Sequence, residues 1–293
     1  MRFVTTPLRN ALAALAAALV AFSPAVASAQ NGMPQPWEIN LQPANSEVMT
    51  FIHWFHDWVN VLIFIITLFV LGLLIYVAWR FNEKRNPVAS KTTHHALLEV
   101  AWTIVPVLIL VVIAIPSFRL LKLQLEIPQA DMTVKVTGKQ WYWSYEYPQE
   151  GGSFGFDSLM LDEKQRAEAI SSKKIAEAEA PRLLAVDNEA VVPVGKIVRL
   201  QITGADVIHK FALPAFGVKI DAIPGRLNET WFKADREGIF YGQCSFICGQ
   251  NHAFMPIAIR VVSQERYTAW LAEAKQKFAN AADATSKVAE AAR

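Results

Sequence analysis

The stretch YGQCSFICGQNHAFMPIAIR, from Tyr241 to Arg260, holds both cysteines of the chain, with a histidine and a methionine close behind them. Cys244 is followed four residues later by Cys248, eight residues later by His252 and eleven residues later by Met255. Each of these side chains is a ligand type for soft metal ions. The apolar runs on either side are typical of short strands. The stretch therefore predicts a metal-binding loop within a β-rich domain.

Three alternatives compete for these ligands. Two cysteines in an exported protein usually form a disulfide, but a structural disulfide gives no reason for Met255. Zinc also binds two cysteines and two histidines, although Met255 and the β-rich context favour copper. A distant candidate ligand is His209, shortly after a predicted strand. A blue-copper site uses one cysteine, so the second thiolate indicates two copper ions bridged by two sulfurs.

Apolar residues are concentrated in the N-terminal part of the 293-residue chain, which is 53% hydrophobic and carries a formal net charge of +2. Residues 1–29 combine two arginines, a short apolar run and the small-residue end VASA. This pattern predicts a cleaved secretory signal, with an uncleaved membrane helix as the alternative. A net charge so near zero gives no reason to expect a nucleic-acid partner.

Two further apolar blocks, at about 58–79 and 97–118, are each long enough to cross a bilayer. The loop between them contains Arg80, Lys84, Arg85 and Lys91. The positive-inside rule places such a loop in the cytoplasm. We therefore expect both the mature N-terminus and the C-terminus to face the periplasm.

Glu99 lies near the start of the second predicted membrane helix. An ionisable group in such a helix usually faces protein or a water path. Near a helix end it can instead reach the membrane surface, and the residue pattern alone slightly favours that interpretation.

The remainder of the chain, residues 120–293, alternates apolar with polar residues in short runs. This period of two is typical of half-buried strands, and many short strands indicate a sandwich or small barrel. Residues 161–182, rich in Ala, Glu and Lys, predict a helical or mobile insertion. Apolar residues at helical spacing predict a C-terminal helix over about 264–280. Residues 30–119 then form the N-terminal segment and the membrane anchor.

Four motifs carry a resemblance to a known family: GKQWYWSYEY, DNEAVVPVG, ADVIHKFALPAFGVKIDAIPGRLNET and YGQCSFICGQNHAFMPI. Preceded by two membrane helices, they closely resemble subunit II of bacterial cytochrome c oxidase. The resemblance runs from Trp37 to Trp270. It implies an all-β, cupredoxin-like Greek-key barrel that holds the dinuclear copper centre CuA, anchored by a transmembrane helical hairpin.

The resemblance also assigns the copper ligands. They would be the side chains of His209, Cys244, Cys248, His252 and Met255, and the backbone carbonyl of Phe246. The family usually has glutamate where this chain has Phe246, and uses it to bind magnesium at the contact with subunit I. Because phenylalanine cannot coordinate magnesium, we expect weakened or absent magnesium occupancy. The family often has Ser-Trp where this chain has Lys210 and Phe211, a difference that bears on the charge near the centre.

Other roles rest on the resemblance alone. Trp141 matches the tryptophan through which the family receives electrons, although the residue pattern by itself suggests a core aromatic. Glu99 matches an acidic residue at the mouth of a proton channel into subunit I. Four acidic residues match positions where the family docks basic cytochrome c, and any of them could instead be a solvated turn residue. They are Glu146, Asp157, Asp187 and Asp206.

The implied function is electron transfer within a proton-pumping terminal oxidase of the bacterial inner membrane. Electrons from cytochrome c would reach the copper centre and then haem, which only subunit I carries. Three other protein classes fit less well. Quinol oxidase subunit II lacks the copper ligands, nitrous-oxide reductase lacks the two-helix anchor, and a mononuclear blue-copper carrier needs one cysteine.

Overall fold

The computed structural model describes residues 32–148 and 153–291, with side chains described as far as Phe278. Two long helices come first, α1 over Glu47–Arg80 and α2 over Ala96–Leu125. Both are long and apolar enough to cross a membrane. The predicted signal segment, residues 1–29, lies outside the described residues.

Both helices extend beyond the apolar blocks predicted at 58–79 and 97–118. Helix α1 starts eleven residues earlier, because the hydroxyl of Ser46 accepts a hydrogen bond from the Met49 N–H and caps its first turn. Its first turns mix apolar residues with polar ones such as His53 and Asp57, so the continuous apolar block in the sequence starts only at about residue 58. Helix α2 continues for seven residues past Phe118, and Trp231 of the β-domain donates a hydrogen bond to the Leu123 carbonyl near its end.

Two five-stranded sheets follow the helices and pack face to face. In the first sheet the order is β3, β2, β1, β5, β8, and in the second it is β4, β10, β9, β6, β7. The strands are β1 Met132–Lys139, β2 Tyr142–Tyr147, β3 Phe154–Ser158, β4 Ala190–Pro193, β5 Ile197–Gly204, β6 His209–Leu213, β7 Val218–Ala222, β8 Asn228–Lys233, β9 Gly238–Cys244 and β10 Pro256–Val262. This arrangement confirms the predicted cupredoxin-like β-domain.

The core between the sheets is built from the alternating side chains of the strands. Val134 and Val136 of β1 are buried, while their neighbours are half-buried. Large aromatic side chains fill the centre, among them Trp143, Phe211 and Phe240, each fully buried. Strands β6 and β7 are each five residues long and are joined by a short turn through Pro214.

Strand pairing brings distant parts of the sequence to one end of the second sheet. Strand β6 pairs antiparallel with β9, so that Phe211 lies opposite Cys244. Strand β9 also pairs antiparallel with β10, with Gln243 opposite Pro256. The start of β6, the end of β9 and the start of β10 therefore meet at the same edge.

The insertion predicted at 161–182 contains helix α3, Glu163–Ser171, and a single 3-10 turn at Glu177–Glu179. It is docked on the sandwich, because Arg260 pairs with Glu179 at 3.2 Å and Tyr241 donates a hydrogen bond to the Glu179 carbonyl. Helix α4, Gln264–Ala291, follows β10 and extends beyond the predicted end at about 280.

Candidate metal centre

The two cysteines lie side by side at the edge where β6, β9 and β10 meet. Their sulfur atoms are 3.8 Å apart. Cys248 Sγ also lies 3.6 Å from Nδ1 of His252 and 3.5 Å from Sδ of Met255. The Cys244 thiol donates to the Phe246 carbonyl at 3.3 Å. Cys248 is thus the centre of a cluster of sulfur and nitrogen donors.

His209 completes the cluster from the start of β6. Its ligand atom and those of Cys244 and Cys248 all lie within 4.8 Å of one another. Its side chain is fully buried, and its Nδ1 has no hydrogen-bond partner. A buried polar atom without a partner is costly unless something else satisfies it. A metal ion held by the two sulfurs would satisfy it, so the described residues fit a bound soft metal.

Hydrogen bonds fix the orientation of His209. Its Nε2 lies 2.8 Å from a carboxylate oxygen of Asp206, and Asp206 in turn accepts a backbone N–H from Gln140 at 2.7 Å. A carboxylate on the far nitrogen of a metal-binding histidine sets the ring orientation and raises its basicity. The sequence predicted Asp206 as a docking residue, which stays a prediction, and the structure adds that its carboxylate contacts the His209 ring.

Ionisation differs between the two thiols. Burial opposes ionisation of Cys244, but the adjacent His209 side chain and the backbone of Lys210 and Phe246 outweigh it, so its pKa lies below that of an ordinary thiol. Burial and the neighbouring Cys244 raise the pKa of Cys248. Because metal ions bind thiolates, binding here releases protons.

Two glycines make room for this arrangement, and sequence reasoning missed both. A Cβ on Gly138 would lie 2.9 Å from Cδ2 of the His209 ring and 3.0 Å from the ring of Trp143. Gly249 has φ of +128°, which side chains rarely adopt, and a Cβ there would lie 3.0 Å from the Trp141 ring. Their spacing in the sequence carries no signal, because both contacts join distant segments.

Trp141 lies directly against the metal-binding loop. Its indole N–H donates to the carbonyl of Cys248 at 3.4 Å, and the side-chain amide of Gln140 donates to the same carbonyl at 2.9 Å. The ring is half-buried, so part of it faces solvent. Trp141 therefore bridges the surface and the cluster.

The other predicted docking acids make hydrogen bonds within the chain. Glu146 pairs with Lys135 at 3.0 Å, and Asp157 pairs with Lys139 at 3.5 Å. Asp187 accepts backbone N–H bonds from two residues of neighbouring turns. These three acids lie away from the cluster, on or beside the outer edge of the first sheet.

Glu99 lies in the first turn of α2 and accepts a hydrogen bond from the His95 N–H at 3.1 Å. About 40 Å of helix separates it from the end of α2, where the β-domain begins. Glu99 is therefore not part of the cluster of sulfur and nitrogen donors. Lys210, beside His209, pairs with Asp221 at 3.0 Å, which offsets its charge near the cluster.

The first prediction concerns the carboxylate behind His209. Replacing Asp206 with alanine should lower copper affinity about 10- to 100-fold, because outer partners of ligands contribute that much to metal binding. Titration against a copper chelator measures the change. Asp187→Ala is the matched control, since it also removes an acceptor of two backbone N–H bonds. Equal losses in the two variants would show that Asp206 acts only on stability.

Comparison with known proteins places these features in one family. Residues 34–120 match the family described as cytochrome c oxidase subunit II, transmembrane domain, and residues 132–262 match cytochrome c oxidase subunit II, periplasmic domain. The transmembrane match and the two spanning helices make this a membrane-anchored protein.

Individual relatives agree with these matches. Cytochrome c oxidase subunit 2 of Cereibacter sphaeroides is 50% identical over 272 residues, which cover 89% of both chains. A probable cytochrome c oxidase subunit 2 of Rickettsia bellii is 47% identical over 247 residues, which cover 84% of this chain and 88% of the relative. The crystallised periplasmic domain of subunit II of cytochrome oxidase of Bradyrhizobium japonicum is 61% identical, with a TM-score of 0.45, covering 52% of this chain and 99% of that one.

Proposed function

Because the chain belongs to the cytochrome c oxidase subunit II family, we propose that it receives electrons from cytochrome c and delivers them to haem in subunit I. One observation carries this proposal: two buried cysteines, two histidines and a methionine converge at one edge of a membrane-anchored β-domain. Oxygen reduction and proton pumping would take place in subunit I.

The ligands proposed for two copper ions are His209, Cys244, Cys248, His252, Met255 and the carbonyl of Phe246. When bound, the two ions would supply a one-electron redox centre. Cys244, Cys248 and Met255 are all buried, so the chain keeps water from the sulfur donors. Asp206 holds His209 in place, and Trp143 donates a hydrogen bond to the Met255 carbonyl at 3.2 Å. Because these contacts hold the donor groups in place, we expect their positions to change little when an electron is added.

Trp141 is proposed as the point where electrons enter. Its contact with the Cys248 carbonyl links a half-buried ring to the backbone of a proposed ligand. Rapid mixing of the copper-loaded chain with reduced cytochrome c tests the relay. We expect cytochrome c to be oxidised by one electron per chain, whereas absence of oxidation would contradict the proposal.

The orientation follows from the charge of the loop after α1. With its four basic residues in the cytoplasm, the β-domain and both ends of the mature chain would lie in the periplasm of a bacterial inner membrane. Glu99 would then lie at the cytoplasmic side, where we propose that it helps protons enter subunit I. Its hydrogen bond to the His95 N–H also gives it a capping role in α2.

A second prediction tests docking of cytochrome c. Reversing the charge of Glu146 and Asp157 with lysine should weaken the apparent affinity about tenfold at low salt, and the difference should shrink as salt screens the charges. Each reversal also leaves a neighbouring lysine without its pair. Steady-state oxidation of cytochrome c measures the effect. The matched control reverses Glu163 and Glu168 in α3. Unchanged affinity in the test variant would place docking elsewhere.

A third prediction concerns Phe246, whose side chain is 44% exposed between the two cysteines. Since a phenyl ring offers no oxygen ligand, we expect the assembled oxidase to hold less than one tightly bound magnesium or manganese ion at this position. Manganese electron paramagnetic resonance of cells grown with manganese measures it. Phe246→Glu is the matched variant. One tightly held ion in the unchanged complex would contradict the prediction.

A further inference from the structure

Two arginines close the membrane helix α1 at the end far from the metal centre. Arg80 is the last residue of α1, and Arg85 follows in a tight turn. Helix α1 presents exposed apolar side chains up to this point, including Val77 and Trp79. The arginines therefore lie where the exposed apolar surface of α1 ends and a polar loop begins.

Neutral groups hold both arginines in place. Arg80 Nη1 donates to the side-chain oxygen of Asn86 at 3.2 Å, and the Asn86 amide donates back to the Arg80 carbonyl. The Arg85 guanidinium lies 4.2 Å from the centre of the Trp79 ring. The Arg85 N–H donates to both the carbonyl and the side-chain oxygen of Asn82, which orders the turn.

The charge of these arginines is left unneutralised. Within residues 32–148 and 153–291, neither forms an ion pair with a carboxylate. By contrast, Arg199 and Arg260 of the β-domain both pair with glutamates. From 80 to 95 the chain has four basic residues and one acidic residue, a net charge of +3. Two guanidinium groups that are held in place and have no carboxylate partner are suited to bind an anion.

We propose that Arg80 and Arg85 bind the phosphate of an anionic phospholipid whose acyl chains lie along α1. Guanidinium groups match phosphate oxygens in planar, two-point hydrogen bonds. The anion comes from lipid rather than solution, because the arginines directly continue an exposed apolar helix. The proposal is independent of the electron relay and of the metal centre.

Native mass spectrometry of the full chain in detergent, with added phosphatidylglycerol or phosphatidylcholine, tests the site. Each basic side chain near an anionic lipid contributes about fivefold to binding, so Arg80→Gln with Arg85→Gln should weaken phosphatidylglycerol binding about 30-fold. Arg80→Lys with Arg85→Lys keeps the charge but loses the planar guanidinium groups that form two-point hydrogen bonds. We expect that variant to bind several-fold more weakly than the natural chain.

The matched control, Arg119→Gln with Lys122→Gln, removes the same charge near the other end of the helix pair and should leave phosphatidylglycerol binding within about twofold. Excess inorganic phosphate should not displace the lipid. Equal binding of the two lipids by the natural chain would overturn the proposal. So would equal losses in the glutamine and control variants, full binding by the lysine variant, or displacement by phosphate.

Discussion

Replacing Cys248 with serine is expected to abolish the proposed dinuclear copper centre. Cys248 Sγ is the atom closest to the other donors, within 3.8 Å of Cys244, His252 and Met255. Even an outer partner of a ligand contributes about 10- to 100-fold to metal affinity, so losing a sulfur proposed as a direct ligand should weaken binding by more than about 100-fold. Copper analysis of the purified chain measures the loss, and oxidation of cytochrome c by the assembled oxidase should fall with it.

Ser245→Ala is the matched control for this change. Ser245 lies in the same loop, but its side chain is exposed. We expect the Ser245→Ala protein to retain its copper and to oxidise cytochrome c at an unchanged rate. If the Cys248→Ser chain kept two copper ions and an unchanged spectrum, the cysteine pair would not be the ligand set.

Replacing Trp141 with phenylalanine should slow oxidation of cytochrome c by about 100-fold, equivalent to about 2.7 kcal/mol in the barrier. Phenylalanine keeps an aromatic ring, smaller than indole, but loses the N–H that contacts the Cys248 carbonyl. Copper content should not change, because Trp141 offers no ligand atom. Steady-state rates and copper analysis of the same preparation separate the two effects.

Tyr142→Phe is a suitable control for Trp141→Phe, since Tyr142 is the next residue and is also half-buried. Its rate should stay near that of the natural chain. A small organic reductant that needs no docking should reduce the Trp141→Phe protein at the normal rate. A normal rate with cytochrome c itself would show that electrons enter elsewhere.

The convergence of the proposed ligands could be predicted because four of their side chains fall within twelve residues of one loop. His209 joined them through its residue type and through the family resemblance, and pairing of β6 with β9 explains its position. Alternation along β1 and β5 likewise indicated half-buried strands. Sequence patterns were sufficient to predict a feature wherever its residues all lay in one strand or one loop.

Features that depend on packing between distant segments were not predictable. Gly138 and Gly249 matter only because the His209 and Trp141 rings lie against them. The role of Asp206 appears only when its carboxylate meets His209 and the Gln140 backbone. The first turns of α1 were missed because polar residues interrupt their apolar ones, and the Ser46 cap sets where the helix begins.

The surroundings of the cluster support the proposed electron relay, because they hold the donor side chains in place before any electron arrives. Cys244, Cys248 and Met255 are buried, and Trp143 and Asp206 hold their neighbours from outside. Preorganised polar groups need little rearrangement when charge changes in a dry site. The half-buried ring of Trp141 contacts the Cys248 carbonyl, which supports its proposed role as the point where electrons enter.

Copper analysis with electron paramagnetic resonance of the copper-loaded full chain tests the central claim most directly. We predict two copper ions per chain and a seven-line hyperfine pattern, produced by one unpaired electron shared equally between two copper nuclei. One copper ion with an ordinary four-line pattern, or no bound copper, would contradict the dinuclear site and the electron relay built on it.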